Sequence, residues 1–134
     1  MKYYFDTSVW LAYLNKDEFF HKEAVMWFDK IKQENHELYT SDLVDKEMKG
    51  KPAFNEYRAI SEKLCIRTTI GAEDRNYSKL LSRRYDLPAS DIEHILHAKR
   101  NGFTAVSSDI NHWPKIARLL GFQSFYYTPG IHSL

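Results

Sequence analysis

Four carboxylates stand where a folded chain could gather them. Asp6 follows the aromatic run Tyr3-Tyr4-Phe5, and Glu47 lies six residues after Ser41. Asp91 follows Pro88 and Ser90, and Asp109 closes Ser107-Ser108-Asp109. Carboxylates brought together repel, and keeping several ionised in one pocket is costly unless a cation joins them. Hard oxygen donors suit Mg2+ or Mn2+. The single cysteine, Cys65, excludes a Cys-based zinc cluster and any internal disulfide. An ion held by carboxylates and open to a phosphate oxygen can activate water and neutralise a leaving group, which is a route to phosphodiester hydrolysis. Each acid also has an ordinary explanation. Asp6, Thr7 and Ser8 are all good N-cap residues. Asp91 suits a helix N-terminus, Asp109 can cap the helix behind it, and Glu47 can be a solvated helix acid. Spacing alone leaves both explanations open.

The elements that would carry these acids follow from periodicity and punctuation. Tyr3 to Phe5 predicts a buried strand, with a helix from Ser8 to Asn15. A second helix runs from Phe19 to Glu34 on the stripe Phe20, Ala24, Trp27, Phe28 and Ile31. Leu38 to Thr40 is a short strand, and Ser41 caps a helix that reaches Lys49. After Gly50, Pro52 can open a helix to Lys63. Cys65 to Thr69 reads as a strand and Ala72 to Tyr85 as a helix. Ser90 caps a helix from Asp91 to Asn101, closed by Gly102. Phe103 to Val106 is a buried strand, Asn111 to Leu120 a helix closed by Gly121, and Gln123 to Tyr127 the last strand. Strands alternating with helices predict an α/β fold, a three-layer α/β/α sandwich around a mostly parallel sheet of four or five strands. Asp6, Asp91 and Asp109 then fall where a parallel sheet presents residues at one edge, and neighbouring strands would make them converge.

Bulk composition is consistent with this. The 134 residues suit one domain, residues 1–134. Hydrophobic residues make up 43% and charged residues 28%, as in soluble globular proteins. No run approaches the ~18 apolar residues of a membrane span, and no signal-peptide core follows Lys2. A cytoplasmic protein without membrane contact is expected. The net charge of +1 argues neither for nor against a polyanionic partner. A Gly-rich phosphate loop is absent, which removes Rossmann and P-loop nucleotide binding.

The order and spacing of the motifs resemble those of PIN-domain ribonucleases, of the kind found as the VapC toxins of toxin–antitoxin pairs. The resemblance spans the whole chain. Asp6-Thr7-Ser8 is similar to the family's Asp-Thr/Ser-Ser opening, and Ser41 to Glu47 matches its Ser-then-Glu segment. Asp91-Ile92-Glu93-His94 through Ala98, then Gly102, resembles its Asp-x-x-His-x-x-x-Ala helix. Ser107-Ser108-Asp109 with Trp113 resembles its Thr/Ser-x-Asp segment with an aromatic four residues on. Glu93 departs from the usual apolar residue and Trp113 from the usual Phe. Asp42 and Asp45 flank the second motif and compete with Glu47 for its place.

The resemblance implies a metal-dependent nuclease acting on RNA, with Asp6, Glu47, Asp91 and Asp109 around Mg2+ or Mn2+. Asp6 would lie within metal-bridging reach of Asp91. Thr7 and Ser107 would hold carboxylates or waters, with capping as their ordinary role. His94, one turn after Asp91, would touch substrate or metal, or serve as a buried hydrogen-bonding histidine; His97 and His112 carry less weight. Lys46, Lys49, Lys51 and Arg58 could meet an RNA backbone, or simply form a solvated face. Trp10, Tyr13, Phe20, Trp27 and Phe28 offer more aromatic surface than a small core would absorb, and the corresponding region of VapC-like proteins resembles a dimer and antitoxin surface. A homodimer and a small antitoxin are therefore implied partners beside the RNA. Two other readings compete: a housekeeping PIN nuclease of RNA processing or decay, and a non-catalytic α/β binding module such as a receiver-like domain. The latter would need paired acids after the first strand and a late strand-end Lys, neither of which is present.

Overall fold

The strands form from short runs rich in aromatic and β-branched residues, which fit a pleated, half-buried surface. In the computed structural model, which describes residues 1–134, β1 (Lys2–Phe5), β2 (Glu37–Ser41), β3 (Cys65–Thr68), β4 (Thr104–Ser107) and β5 (Phe125–Tyr127) make one sheet. Its order is β3-β2-β1-β4-β5, and every neighbouring pair is parallel. The sheet therefore has five strands and is wholly parallel.

The helices are α1 (Thr7–Leu14), α2 (His21–Gln33), α3 (Asp42–Met48), α4 (Phe54–Leu64), α5 (Ala72–Tyr85), α6 (Ala89–Asn101) and α7 (Trp113–Leu120), with a 3₁₀ turn at Thr128–Ser133. The chain steps outward from β1 to β2 to β3, then returns past β1 to β4 and β5. Right-handed crossovers put α1 to α4 on one face and α5 to α7 on the other. Packing agrees: α1 lies against α2, α3 and α4, and α6 against α5 and α7. Reversal of strand order between β1 and β4 opens a crevice beyond their carboxyl ends, where ligands bind in open α/β sheets.

β1 is the central strand, and its side chains alternate between the layers. Tyr3 and Phe5 meet Trp27 of α2, while Tyr4 meets His94 and His97 of α6. Trp10, Trp27 and Trp113 are all fully buried. This corrects the expectation of surplus aromatic surface on the first two helices. Trp10 and Phe28 pack edge to face at 5.0 Å and belong to the core, as does Trp27. Tyr13 and Phe20 are half-buried and pack against that core, and Phe19 beside them is 86% exposed.

Three boundaries differ from periodicity for local reasons. α1 starts at Thr7 because Asp6, not Ser8, caps it. α6 starts at Ala89, so Ser90 lies inside the first turn and is not its cap. α7 starts at Trp113 because Asp109 takes the amides of Asn111 and His112, a side-chain bond that competes with helix formation. Gly102 and Gly121 close α6 and α7 at φ of 68° and 64°, the left-handed conformation that glycine adopts freely.

Candidate acidic active site

Asp6 is held by its neighbours on both oxygens. Its Oδ1 accepts from the Val9 amide at 3.2 Å, the N-cap bond of α1, and from Ser8 Oγ at 2.5 Å. Its Oδ2 accepts from Ser107 Oγ at 2.6 Å, across from β4. One carboxylate thus caps α1 and lines the cleft. Asp6 is only 2% exposed. Burial raises its pKa above the ordinary carboxylate range, against the pull of His94 and the bonds from Ser107, Ser8 and Val9.

α3 turns Glu47 back toward α1. Glu47 Oε1 meets Thr7 Oγ1 and His94 Nε2, each at 2.7 Å. Burial favours the neutral acid, but those bonds and the His94 charge win and hold Glu47 below its usual range. The acids that competed with Glu47 are committed elsewhere. Asp42 accepts from the Ile70 amide at 2.9 Å, and Asp45 is gripped by Arg67 at 2.8 and 2.9 Å and by Tyr57 at 2.6 Å.

His94 has no nitrogen to spare. Nε2 meets Glu47, and Nδ1 lies 2.6 Å from the Tyr4 hydroxyl, which lies 2.8 Å from Ser41 Oγ. Burial disfavours its cation, yet the Glu47 bond and the charges of Asp6, Glu47 and Asp91 raise its pKa. Such a histidine orients Glu47, while a metal would find neither nitrogen free.

Asp91 and Asp109 form the tightest acidic pair. Asp109 Oδ1 accepts from the amides of Asn111 at 2.9 Å and His112 at 3.3 Å, and its Oδ2 lies 3.4 Å from His112 Nδ1. Asp91 Oδ2 lies 3.9 Å from the same nitrogen. The two carboxyl groups lie close together, with donor atoms within 4.8 Å of one another, and like charges at that range favour a proton on one of them. Burial, the neighbouring Asp109 carboxyl and the charge of Asp6 push Asp91 up to about 7. For Asp109 burial acts upward too, but the Asn111 amide, the neighbouring Asp91 carboxyl and His112 leave it below the ordinary range.

All four acids line one cleft of about 360 Å³, with Thr7, Ser8, Leu11, His94 and Lys51. Lys51 is the only lysine or arginine on its wall. Donor atoms within 4.8 Å of one another come from Asp91, Asp109 and His112; Asp6 and Glu47 share the cleft but do not join that group. Sequence reasoning did not place Ser8 at the cleft, and it gave His112 little weight. His112 could have been ranked higher locally, since three residues separate it from Asp109. Lys51 was visible only as one member of a basic run.

The donor set fits a divalent cation. The Asp91 and Asp109 carboxyl groups, with donor atoms within 4.8 Å of one another, offer oxygens that a cation could bind. Asp91, Asp109 and, across the cleft, Asp6 and Glu47 would hold it.

A family model described as the PIN domain matches residues 3–119. No curated protein matches the chain in sequence. Similar solved structures include VapBC2 from Rickettsia felis bound to a DNA fragment from their promoter, with a TM-score of 0.66 and 14% identity over 95% of this chain and 98% of that one. The Mycobacterium tuberculosis VapC20, a sarcin-ricin loop cleaving toxin, gives 0.65 and 17% over 91% and 97%. FitAcB from Neisseria gonorrhoeae gives 0.60 and 14% over 94% and 97%. At these identities the likeness is one of fold. No helix is long and apolar enough to cross a membrane.

Proposed function

The chain belongs to the PIN-domain family, and from that premise we propose that it is a metal-dependent endoribonuclease and the toxin of a VapBC-type pair, acting on cytoplasmic RNA. The observation that carries the proposal is the convergence of four acids from four separate segments on one cleft with a single lysine. The fold is shared with a toxin described as cleaving the sarcin-ricin loop and with VapBC and FitAB assemblies, which supports RNA as substrate and a small antitoxin as partner. A homodimer is the expected assembly.

Mg2+ or Mn2+ held by Asp6, Glu47, Asp91 and Asp109 would supply Lewis acidity for water and charge neutralisation at the leaving oxygen. The chain itself supplies order. Ser8, Ser107 and the Val9 amide lock the Asp6 carboxylate, so little reorganisation remains when substrate arrives. Thr7 and His94 do the same for Glu47. Lys51 offers a cation to a phosphate entering the cleft. Ionised carboxylates near the water can orient it for in-line attack and accept its proton.

The test is cleavage of a mixed RNA pool with Mg2+, Mn2+ or EDTA by the intact protein and by Asp6→Asn. Asn remains a good N-cap, so α1 should stay formed. Cleavage should need the ion and fall at least about 100-fold in the variant, no less than the loss typical of outer-shell partners. Equal cleavage by both proteins would refute the Asp6-centred site. No cleavage under any condition would favour a binding module. Growth arrest on expression, relieved by the product of a neighbouring small gene, separates the toxin from a housekeeping nuclease.

A further inference from the structure

His112 stands outside the four-acid set yet belongs to the group with the closest donor geometry in the molecule. Its Nδ1 lies 3.4 Å from Asp109 Oδ2 and 3.9 Å from Asp91 Oδ2, and all three donor atoms fall within 4.8 Å of one another. Two donors each about 2.1 Å from one octahedral ion stand about 3.0 Å apart at right angles and about 4.2 Å apart when opposite. Both His112 separations fall inside that window.

The imidazole is delivered there by fixed backbone. Asp109 Oδ1 binds the amides of Asn111 and His112, which ties the residue to the acid and leaves Oδ2 for the cleft. Trp113, fully buried, anchors the start of α7 immediately afterwards. The other histidines on this side of the sheet are engaged through both nitrogens: His94 with Glu47 and Tyr4, His97 with Thr68 and Asn101. His112 is 45% exposed in its side chain, and its Nδ1 faces the two acids.

We propose that His112 is an imidazole ligand of the ion held by Asp91 and Asp109, making the centre a mixed nitrogen–oxygen site that selects a first-row transition ion such as Mn2+ over Mg2+. The proposal rests on reading the cleft as a metal site. Mg2+ holds to oxygen donors in a near-ideal octahedron; Mn2+ shares its preference for carboxylate oxygen but, as a first-row transition ion, binds N/O sites and accepts an imidazole nitrogen beside the carboxylates. An imidazole nitrogen adds a donor without adding a further negative charge to a site already rich in carboxylates.

Ion binding is measured by calorimetry without RNA, using Mn2+ and Mg2+ with the intact protein, His112→Gln and Asp109→Asn. The spin-echo spectrum of the Mn2+ complex reports directly whether nitrogen is bound. Intact protein should bind Mn2+ at least about tenfold more tightly than Mg2+ and show nitrogen coupling. His112→Gln should lose about tenfold in Mn2+ affinity and the coupling, with Mg2+ affinity changed less than about twofold. Asp109→Asn should weaken both ions. Thermal melting of His112→Gln should match the intact protein, since the side chain is half exposed. Mn2+ bound without nitrogen coupling, or Mn2+ affinity unchanged in His112→Gln, overturns the proposal while leaving the metal site in place. Binding of neither ion to intact protein overturns both.

Discussion

Replacing Asp91 by Asn should stabilise the metal-free protein and impair its ion binding together. The Asp91 carboxyl titrates at about 7 in the fold, against roughly 3.9 in an unfolded chain. The folded state therefore binds the extra proton between about pH 4 and pH 7, and stability falls as pH rises through that window. The loss is complete above about pH 7. Three units at about 1.36 kcal/mol each set a ceiling of about 4 kcal/mol. Solvent screening in an open cleft reduces it, and losing a negative charge in the first turn of α6 costs back roughly 0.3–1 kcal/mol. A net gain of about 1–3 kcal/mol at pH 8 remains after those reductions. For a domain of this size that is about 3–5 °C in Tm per kcal/mol. At pH 4 the gain should shrink to about 0.5 kcal/mol or less, because Asp91 is then protonated in the fold and already about half protonated when unfolded. Adding ion at a hundred times its Kd stabilises the intact protein by about 2.7 kcal/mol. The variant, short of a ligand, should gain far less, so the gap closes or inverts. Urea and thermal melts at pH 4, 6 and 8, in EDTA and in Mn2+, supply every comparison. An Asn variant no more stable than the intact protein at pH 8 in EDTA would refute this account of the acid pair. So would an advantage that does not shrink toward pH 4.

Two further outcomes follow from the same geometry. Tyr4→Phe removes the hydroxyl between Ser41 and His94, leaving buried polar atoms unpaired, and should cost about 1–3 kcal/mol in urea unfolding. Activity should fall as well, because Glu47 loses a firmly held His94. Lys51→Ala should weaken RNA binding and lower the slope of log affinity against log salt by about one unit, as expected for one lost phosphate contact. Melting should be unaffected, and an unchanged salt slope would place Lys51 away from the RNA path.

Much was legible before folding because it is written between near neighbours. Helix stops at Gly102 and Gly121 depend on the conformation of one residue each. The strand at Tyr3 to Phe5 and the stripe through Ala24, Trp27, Phe28 and Ile31 reflect local periodicity. Asp6 was recognised as a possible cap, and it is one. The five segments that form the sheet, and the four acids themselves, could be named from residue type and spacing.

What only the tertiary structure decided is which side chains meet. Residues 6, 47, 91 and 109 share a cleft because the chain reverses direction across the sheet between β3 and β4, and that reversal is set by packing on two faces at once. Asp42 and Asp45 looked as eligible as Glu47 until Ile70 and Arg67 claimed them. Trp10, Trp27 and Phe28 looked like surface for a partner until α2 closed over Phe5. His112 carried little weight until Asp91, twenty-one residues earlier, was brought to 3.9 Å. Local sequence sets each residue's backbone conformation through short-range sterics and hydrogen bonds. Distances between side chains of distant segments come from long-range burial and sheet order, which no window of neighbouring residues contains.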